Sequence, residues 1–416
     1  MNINARILEA REQRYFRIKA LSERQKTLVI IKANTPGRQK AQPLACFLVK
    51  LFAKQLTTAD FWVIGDYLDE DGYYKIFGSN KDPNIVKQKT IDIEEKHPLG
   101  RFIDIDVYDE HHKLSRTKPR RCFVCGEIAT SCIRNNRHHP ELVLKAFVDP
   151  IATHLERLIV KLIEESVLDE LNLEPKFGLV SKSTSGSHKD MDYDLMLKAH
   201  KAIEADLYRI FLMGFNAKTT QNLFEKIRAI GIEAETKMLR ATAGINTYKG
   251  LIFSLGIVLA ACGYLLSGKR KEQDVFEVAK EIVGNITAEL DKESRTFGER
   301  AYKRYGFKGA RGEAESGFEN VKNVYEKLED LSWHSRMLAL ISLISSVDDT
   351  VFLKRSGSFE KYKEHQAQFY KIERVDVETV ASLTDYCISH DLSFGGSADL
   401  LVVACFLRRL HDEVAL

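Results

Sequence analysis

Residues 149–171 read DPIATHLERLIVKLIEESVLDEL, and this stretch divides the chain in two. From Ile151 onward apolar residues recur every three to four positions, the spacing of an amphipathic helix. Asp149-Pro150 predicts a break before it, because proline lacks the amide that a helix interior needs. Toward the N-terminus the texture is mixed. NARILEAREQRYFRIKALSERQ (4–25) reads as a long charged helix, TLVIIKA (27–33) as a short apolar strand, and Asn34-Thr35-Pro36-Gly37 as a turn. LACFLVKLFAKQL (44–56) reads as a helix, and FWVIGDYL (61–68), GYYKIFG (72–78) and RFIDIDVYD (101–109) as strands. This mixture predicts an α/β or α+β unit over 1–150. Toward the C-terminus, helix-length runs cover 193–213, 217–240, 250–266, 272–293, 318–330, 334–347, 357–371, 375–390 and 398–414. Strand alternation is almost absent there, so 151–416 is expected to be a mainly all-α domain joined by Gly-rich polar connectors. No repeat of fixed period is present.

The 416 residues suit two domains, and 44% apolar with 29% charged side chains can bury a sizeable core, which excludes a disordered chain. Only 8 Pro and 24 Gly exclude collagen-like and low-complexity classes. The net charge of +3 makes no case for nucleic acid or a membrane surface. It is unevenly spread: residues 1–150 hold 26 basic and 19 acidic side chains, net +7, and the remainder is net −4. The first part therefore suits an acidic partner or a polyphosphate. Seven cysteines, and an N-terminus without an apolar signal-like core, point to a reducing cytoplasm. GLIFSLGIVLAACGYLL (250–266), flanked by Lys249 and by Lys269, Arg270 and Lys271, is at the lower limit for a membrane span. Its three glycines and one serine favour a buried core helix.

Three groups of residues carry chemistry. In Gly100-Arg101-Phe102-Ile103-Asp104-Ile105-Asp106 the two acids share one strand face, because side chains alternate with period two. That is a cradle for Mg²⁺, which bridges carboxylates to phosphates in nucleotidyl transfer. The bland reading is a solvated strand face. Arg101 is a candidate phosphate contact. Second, Cys122-x-x-Cys125, Cys132 and His138-His139 offer the ligand count of a structural zinc site, or a set of reduced thiols. Third, the helical part carries five polar strings. They are Ser185–Asp192 (SGSHKDMD), Gly231–Glu235 running on to Ala241–Gly250, Ala310–Glu315 (ARGEAE), Val347–Thr350 (VDDT) and Gly395–Asp399 (GGSAD). Glycines with Ser, Thr or Lys at helix starts can offer N–H groups to phosphates, and nearby acids can hold Mg²⁺. Each string is also readable as an ordinary cap or turn. Neither GxxxxGK[ST] nor GxGxxG occurs.

ILEAREQR (7–14), NTPGRQKAQPL (34–44), HPLGRFIDIDVYD (97–109) and RRCFVCGEIATSCIRNNRHH (120–139) together resemble the citrate lyase holo-acyl-carrier-protein synthase, the apo-citrate lyase phosphoribosyl-dephospho-CoA transferase. GLVSKSTSGSHKDMDYDLM (178–196), EAETKMLRATAGINTYKGLIFSLG (233–256), YGFKGARGEAESGFENV (305–321) and LSFGGSADLL (392–401) resemble triphosphoribosyl-dephospho-CoA synthase. The whole resembles a bifunctional, cytoplasmic fusion of the two. That resemblance implies that ATP and 3′-dephospho-CoA give 2′-(5″-triphosphoribosyl)-3′-dephospho-CoA and adenine. Phosphoribosyl-dephospho-CoA then passes to a serine of the apo acyl carrier subunit of citrate lyase, with release of pyrophosphate. It implies a nucleotidyltransferase-like first unit, Mg²⁺, and no nucleic acid or membrane partner. The expected catalytic residues are Asp104, Asp106, Glu233, Glu313 and Asp349. Substrate contacts are expected at Arg101, His188, Lys249, Arg311, Gly395, Gly396 and Ser397, and metal ligands at Asp104, Asp106, Asp190, Asp192, Asp348 and Asp349. Phe177, Tyr248 and Phe394 stand where the family pattern has Pro, His and Pro, and Val351 where it has Asn. The other reading is a non-catalytic carrier-protein docking module with a zinc knuckle at Cys122, Cys125, Cys132 and His138.

Overall fold

β1 (Thr27–Ala33), a run of buried β-branched and leucine side chains, is an inner strand of a four-stranded antiparallel sheet. Its neighbours are β3 (Gly72–Ser79), with β2 (Trp62–Asp69) beyond it, and β4 (Ile103–Tyr108) at the other edge, giving the order β2-β3-β1-β4. α2 (Pro43–Lys54) and α3 (Pro83–Lys96) pack on the sheet. α1 (Ile3–Ser22) lays Ile18 and Leu21 over Leu28, Ile30, Tyr74 and Ile76. α3 has no counterpart among the sequence expectations, although Asp82 accepts from the amides of Asn84 and Ile85 and Pro83 takes the first helical position, a helix-start pattern. The structure is a computed structural model and describes all residues except 1, 2, 38, 39, 41, 111, 117, 269–273, 292–295, 373, 374 and 416.

α4 (Ala129–Arg134) is followed by α5 (Pro140–Leu171), which runs through Pro150 where a break was expected. A proline in a helix interior costs about 3 kcal/mol. Phe147, Ile151 and Leu155, all fully or almost fully buried on one face, hold the helix together across it. The chain forms two compact units: Met1–Arg157 with Leu265–Lys271 and Asp412–Leu416, and Leu158–Tyr264 with Glu272–His411.

The second unit is helical. It contains α6 (Tyr193–Asn216), α7 (Leu223–Ala241), α8 (Lys249–Leu266), α9 (Val275–Val283), α10 (Phe297–Tyr305) and α11 (Gly309–Ser316). There follow α12 (Glu319–Tyr325), α13 (Trp333–Ser346), α14 (Thr350–Ser356), α15 (Phe359–Tyr370), α16 (Val377–Ser389) and α17 (Gly395–Glu413). The expected 272–293 helix is α9 plus a 3₁₀ turn over Ile286–Asp291, and its residues 272, 273, 292 and 293 lie outside those described. α10, α11 and α14 fall in stretches expected as connectors. Local caps start two of them: a Thr296–Glu299 capping box at α10 and Asp349 at α14. α8 is the one helix among the described residues long and apolar enough to cross a membrane, and 83% of it is buried inside the fold. It is a core helix, as its composition suggests; the flanking Lys269, Arg270 and Lys271 lie outside the described residues. Its approach to α6 depends on glycine: a Cβ at Gly214 would run into the Ala260 carbonyl, and one at Gly263 into that of Phe211.

The two phenylalanines at positions where the family pattern is expected to have proline are coupled. Phe177, at φ +34°, and Phe394 are both fully buried and both pack on Phe369, at ring centroids of 4.9 and 5.0 Å. Phe352 closes the cluster at 4.5 Å from Phe394.

Candidate active sites

On β4 the alternation is regular. Ile103, Ile105 and Val107 are buried, and Asp104, Asp106 and Tyr108 are half-buried on the opposite face. In register, Lys32 lies opposite Asp104 and Ile30 opposite Asp106. As the edge strand, β4 has its Ile105 amide satisfied by Glu94 at 2.7 Å. Arg120 bridges Asp104 (2.7 Å), Glu94 (3.1 Å) and the Ile103 carbonyl (2.6 Å), while Lys113 pairs with Asp106 at 2.6 Å. Burial first, then the Asp104 charge, raises the Asp106 pKa above the ordinary carboxylate value.

Arg101 departs from expectation. Its guanidinium donates to the Cys122 carbonyl and lies 5.6 Å from the Phe102 and Phe123 ring centroids, so it braces the cysteine loop. The arginine at the acid pair is Arg120, in the loop after β4.

A basic cluster missed in the sequence stands beside them. Asp71, fully buried in the β2–β3 turn, pairs with Arg11 (3.1 Å), Arg14 (2.5 Å) and Lys32. One carboxylate faces three cations. Burial, followed by the Arg14 charge, lowers the Lys32 pKa to about 8. The signal was present in AREQR, whose arginines three apart share one helix face.

The helical unit contains a cavity of about 1040 Å³. It is lined by the sequence candidates His188, Asp190, Lys249, Arg311, Glu313, Asp348, Asp349, Gly395 and Gly396. Three expected residues lie outside its lining. Asp192 caps α6, accepting from the Leu195 amide at 2.9 Å. Glu233 is exposed and paired with Arg209 at 2.8 Å; residues two apart on a helix diverge by about 200°, and Glu235 lines the cavity instead, 2.6 Å from Lys249. Ser397 is fully buried, its amide and hydroxyl both directed to Asp349 at 2.8 and 3.1 Å.

Asp349 also accepts from the amides of Val351 (2.9 Å) and Phe352 (3.1 Å), so four hydrogen bonds fix its carboxylate as a joint between α14 and α17. Glu313, almost fully buried, is likewise held by Asn320 (3.0 and 2.7 Å) and the Val321 amide (3.3 Å). His188 bonds Ser393 at 2.8 Å and faces Arg355 at 3.3 Å. Burial, then the Arg355 charge, lowers its pKa below the ordinary histidine value, which disfavours the charged ring that a phosphate would prefer.

Arg228, Lys308 and Glu289, which were not singled out from sequence, also line the cavity, as do Tyr248 and Asp399, the last residue of the GGSAD string. The Tyr248 hydroxyl is buried and has no hydrogen-bond partner among the described residues. Asp399 lies against Gly250, where a Cβ would strike its carboxylate. Burial, then the Asp349 charge, pushes the Asp399 pKa well above the ordinary range. The starts of α8, α11 and α17 all reach the cavity wall, through Lys249-Gly250, Gly309–Arg311 and Gly395-Gly396.

Comparison with known proteins covers both units. A family model described as ATP:dephospho-CoA triphosphoribosyl transferase matches residues 156–415. One described as apo-citrate lyase phosphoribosyl-dephospho-CoA transferase matches residues 3–153. "Protein CitXG" of Haemophilus influenzae is 30% identical, covering 96% of this chain and 94% of the relative. "Protein CitXG" of Leuconostoc mesenteroides subsp. cremoris is 30% identical, covering 97% and 96%. The "Probable 2-(5''-triphosphoribosyl)-3'-dephosphocoenzyme-A synthase 1" of Salmonella typhimurium is 36% identical, covering 59% of this chain and 88% of the relative.

Proposed function

The chain belongs to the CitXG family, and on that premise we propose that its helical unit makes the citrate lyase prosthetic group and its sheet-bearing unit attaches it. It is a transferase that synthesises and attaches that group.

In the helical unit the reaction is a pentosyl transfer. The 2′-hydroxyl oxygen of 3′-dephospho-CoA bonds to C1 of the ATP ribose, the bond from C1 to adenine breaks, and the triphosphate stays on the sugar. The observation that carries this assignment is the convergence of three helix N-termini with Lys249, Lys308 and Arg311 on one cavity. Helix N-termini and cations are what a triphosphate requires. At about 1040 Å³ the cavity reaches the top of the ~300–1,000 Å³ usual for one ligand, which suits two nucleotides. The net proton movement is from the hydroxyl to adenine. Asp399, whose burial favours the protonated carboxyl, would give its proton to the departing base and recover one from the 2′-hydroxyl; between the two it would face the cationic sugar carbon. Asp190 and Asp348 would hold Mg²⁺ on the phosphates, since Asp349 is committed by hydrogen bonds and Asp192 by a cap.

In the first unit the reaction is nucleotidyl transfer, and a nucleotidyltransferase-like role for β4 follows. The serine oxygen of the apo acyl carrier subunit bonds to the phosphorus next to the sugar, and pyrophosphate leaves. Arg11, Arg14 and Lys32, only partly offset by Asp71, would bind the phosphates. Asp104 and Asp106 fit Mg²⁺: they share one half-buried strand face and offer the oxygen donors that the ion takes, each with one cationic partner, Arg120 and Lys113, that it would have to displace. A divalent cation held there would neutralise charge developing on the transferring phosphoryl group.

The test is chromatography of adenine from ATP, 3′-dephospho-CoA and Mg²⁺, followed by the mass of apo carrier protein. Asp399→Asn is expected to slow adenine release by about 100-fold or more, the usual scale of acid–base catalysis. Glu233→Gln should leave it within about twofold. Asp104→Asn should abolish the carrier's mass gain while adenine still forms. Unchanged adenine release in Asp399→Asn would refute this division of roles.

A further inference from the structure

Cys122, Cys125, Cys132 and His138 take no part in either reaction described above. Their donor atoms converge: all four lie within 4.8 Å of one another. The Cys125 and Cys132 sulfurs are 3.5 Å apart, and His138 Nε2 is 3.2 Å from Cys125 Sγ. A tetrahedral zinc ion, with bonds of about 2.3 Å to sulfur and 2.0–2.1 Å to nitrogen, sets sulfur–sulfur edges near 3.8 Å and sulfur–nitrogen edges near 3.5 Å. A disulfide would need sulfurs at about 2.05 Å.

We propose that these four side chains form a closed, structural Cys₃His zinc site that staples the segment between β4 and α5. Thiolate and imidazole donors select zinc over Mg²⁺ or Ca²⁺, which take oxygen ligands.

The backbone supports the assignment independently of the distances. Residues 121–128 form a tight knuckle: Arg121 and Ile128 pair as a β-bridge, the Cys122 amide donates to Glu127 O at 2.6 Å, and Gly126 turns at φ +75°. The backbone amides of Val124 and Cys125 also hydrogen-bond the Cys122 sulfur. The segment also lacks a core. Among the described residues from Glu110 to Ala146, only Cys122 and Cys132 are buried, and both belong to the cluster. Small segments that bury so little apolar surface depend on a metal or another cross-link for order.

The site would have a consequence for chemistry. Arg120, two residues before the first ligand, is the arginine that reaches Asp104 and Glu94. Arg101 grips the carbonyl of that first ligand. Zinc would thus act as a positioning element for Arg120 at the acid pair.

The experiment is elemental analysis of the full chain, purified without an immobilised-metal column and dialysed against metal-free buffer. One zinc per chain is expected. Titration with a mercurial in the presence of a chromophoric chelator should release it as three thiols react. Cys132→Ser should lower occupancy by about tenfold or more, whereas His138→Cys, which keeps a four-ligand set, should retain zinc. Cobalt substitution should give the visible bands of a tetrahedral thiolate site in the native chain and in His138→Cys. Zinc that stays below about a tenth of a site per chain after expression in added zinc, or that persists in a folded Cys132→Ser chain, would overturn the proposal. Chelation should further cut carrier modification while adenine release continues. That last readout rests on the division of labour proposed above and the stoichiometry does not, so the two readings fail separately.

Discussion

At the scale of single residues, Tyr248 is the most informative position. Its ring is buried, its hydroxyl has no hydrogen-bond partner among the described residues, and it lines the cavity. A buried, unpaired hydroxyl costs about 1–3 kcal/mol, so removing it should not weaken the fold. Tyr248→Phe is therefore expected to raise the melting temperature slightly while lowering kcat/KM for adenine release by about tenfold, through loss of a hydrogen bond to bound nucleotide. Unchanged kinetics would show that the hydroxyl meets no substrate. Legibility at this scale was uneven. Strand alternation fixed which face Asp104 and Asp106 share. In Glu233-Ala-Glu235 both acids look alike in the sequence, and only the rotation of α7 decides that Glu235 faces the cavity. Asp399 was hidden for another reason: its raised pKa comes from burial and from Asp349, fifty residues earlier in the chain.

At the scale of elements, close helix crossings do structural work that composition did not disclose. The α6–α8 crossing places Gly214 against the Ala260 carbonyl and Gly263 against that of Phe211. Gly214→Ala is expected to destabilise the helical unit by about 1–3 kcal/mol, the usual cost of overpacking, despite alanine's better helix propensity. A thermal melt by circular dichroism checks it, and a rise in melting temperature would exclude the crossing as described. Most helices were readable from their apolar period. α11 was not, because GARGEAES has the composition of a loop and becomes helical only with Glu313 tied to the start of α12. The Pro150 break failed for the opposite reason: a strong local signal was overruled by the buried face around it.

At the scale of the whole molecule, Lys50 shows how the first unit is closed. Its buried ammonium donates to the Leu265 carbonyl at 2.9 Å, and its own carbonyl accepts from the Ala415 amide at 3.2 Å. Burial, then Lys75, lowers its pKa to about 8. The folded state thus releases a proton that the unfolded chain keeps until near the ordinary lysine value. Stability should rise with pH between about 8 and 10.5, and the penalty should be fully present below that window. One pKa unit is worth about 1.4 kcal/mol, so Lys50→Met should flatten a rise of up to about 3 kcal/mol in urea melts across this range. An equally steep rise in the variant would assign it to other groups.

The same contacts bear on how the protein is made. Ribosomal synthesis runs from the N-terminus, and domains commonly fold in that order as they emerge. Here the first unit also includes Leu265–Lys271 and Asp412–Leu416. The unit whose first residues are translated earliest therefore cannot acquire the strip Asp412–Leu416 until the whole of the helical unit has been translated. The carrier-modifying half would mature only when the half that makes its substrate has already been synthesised.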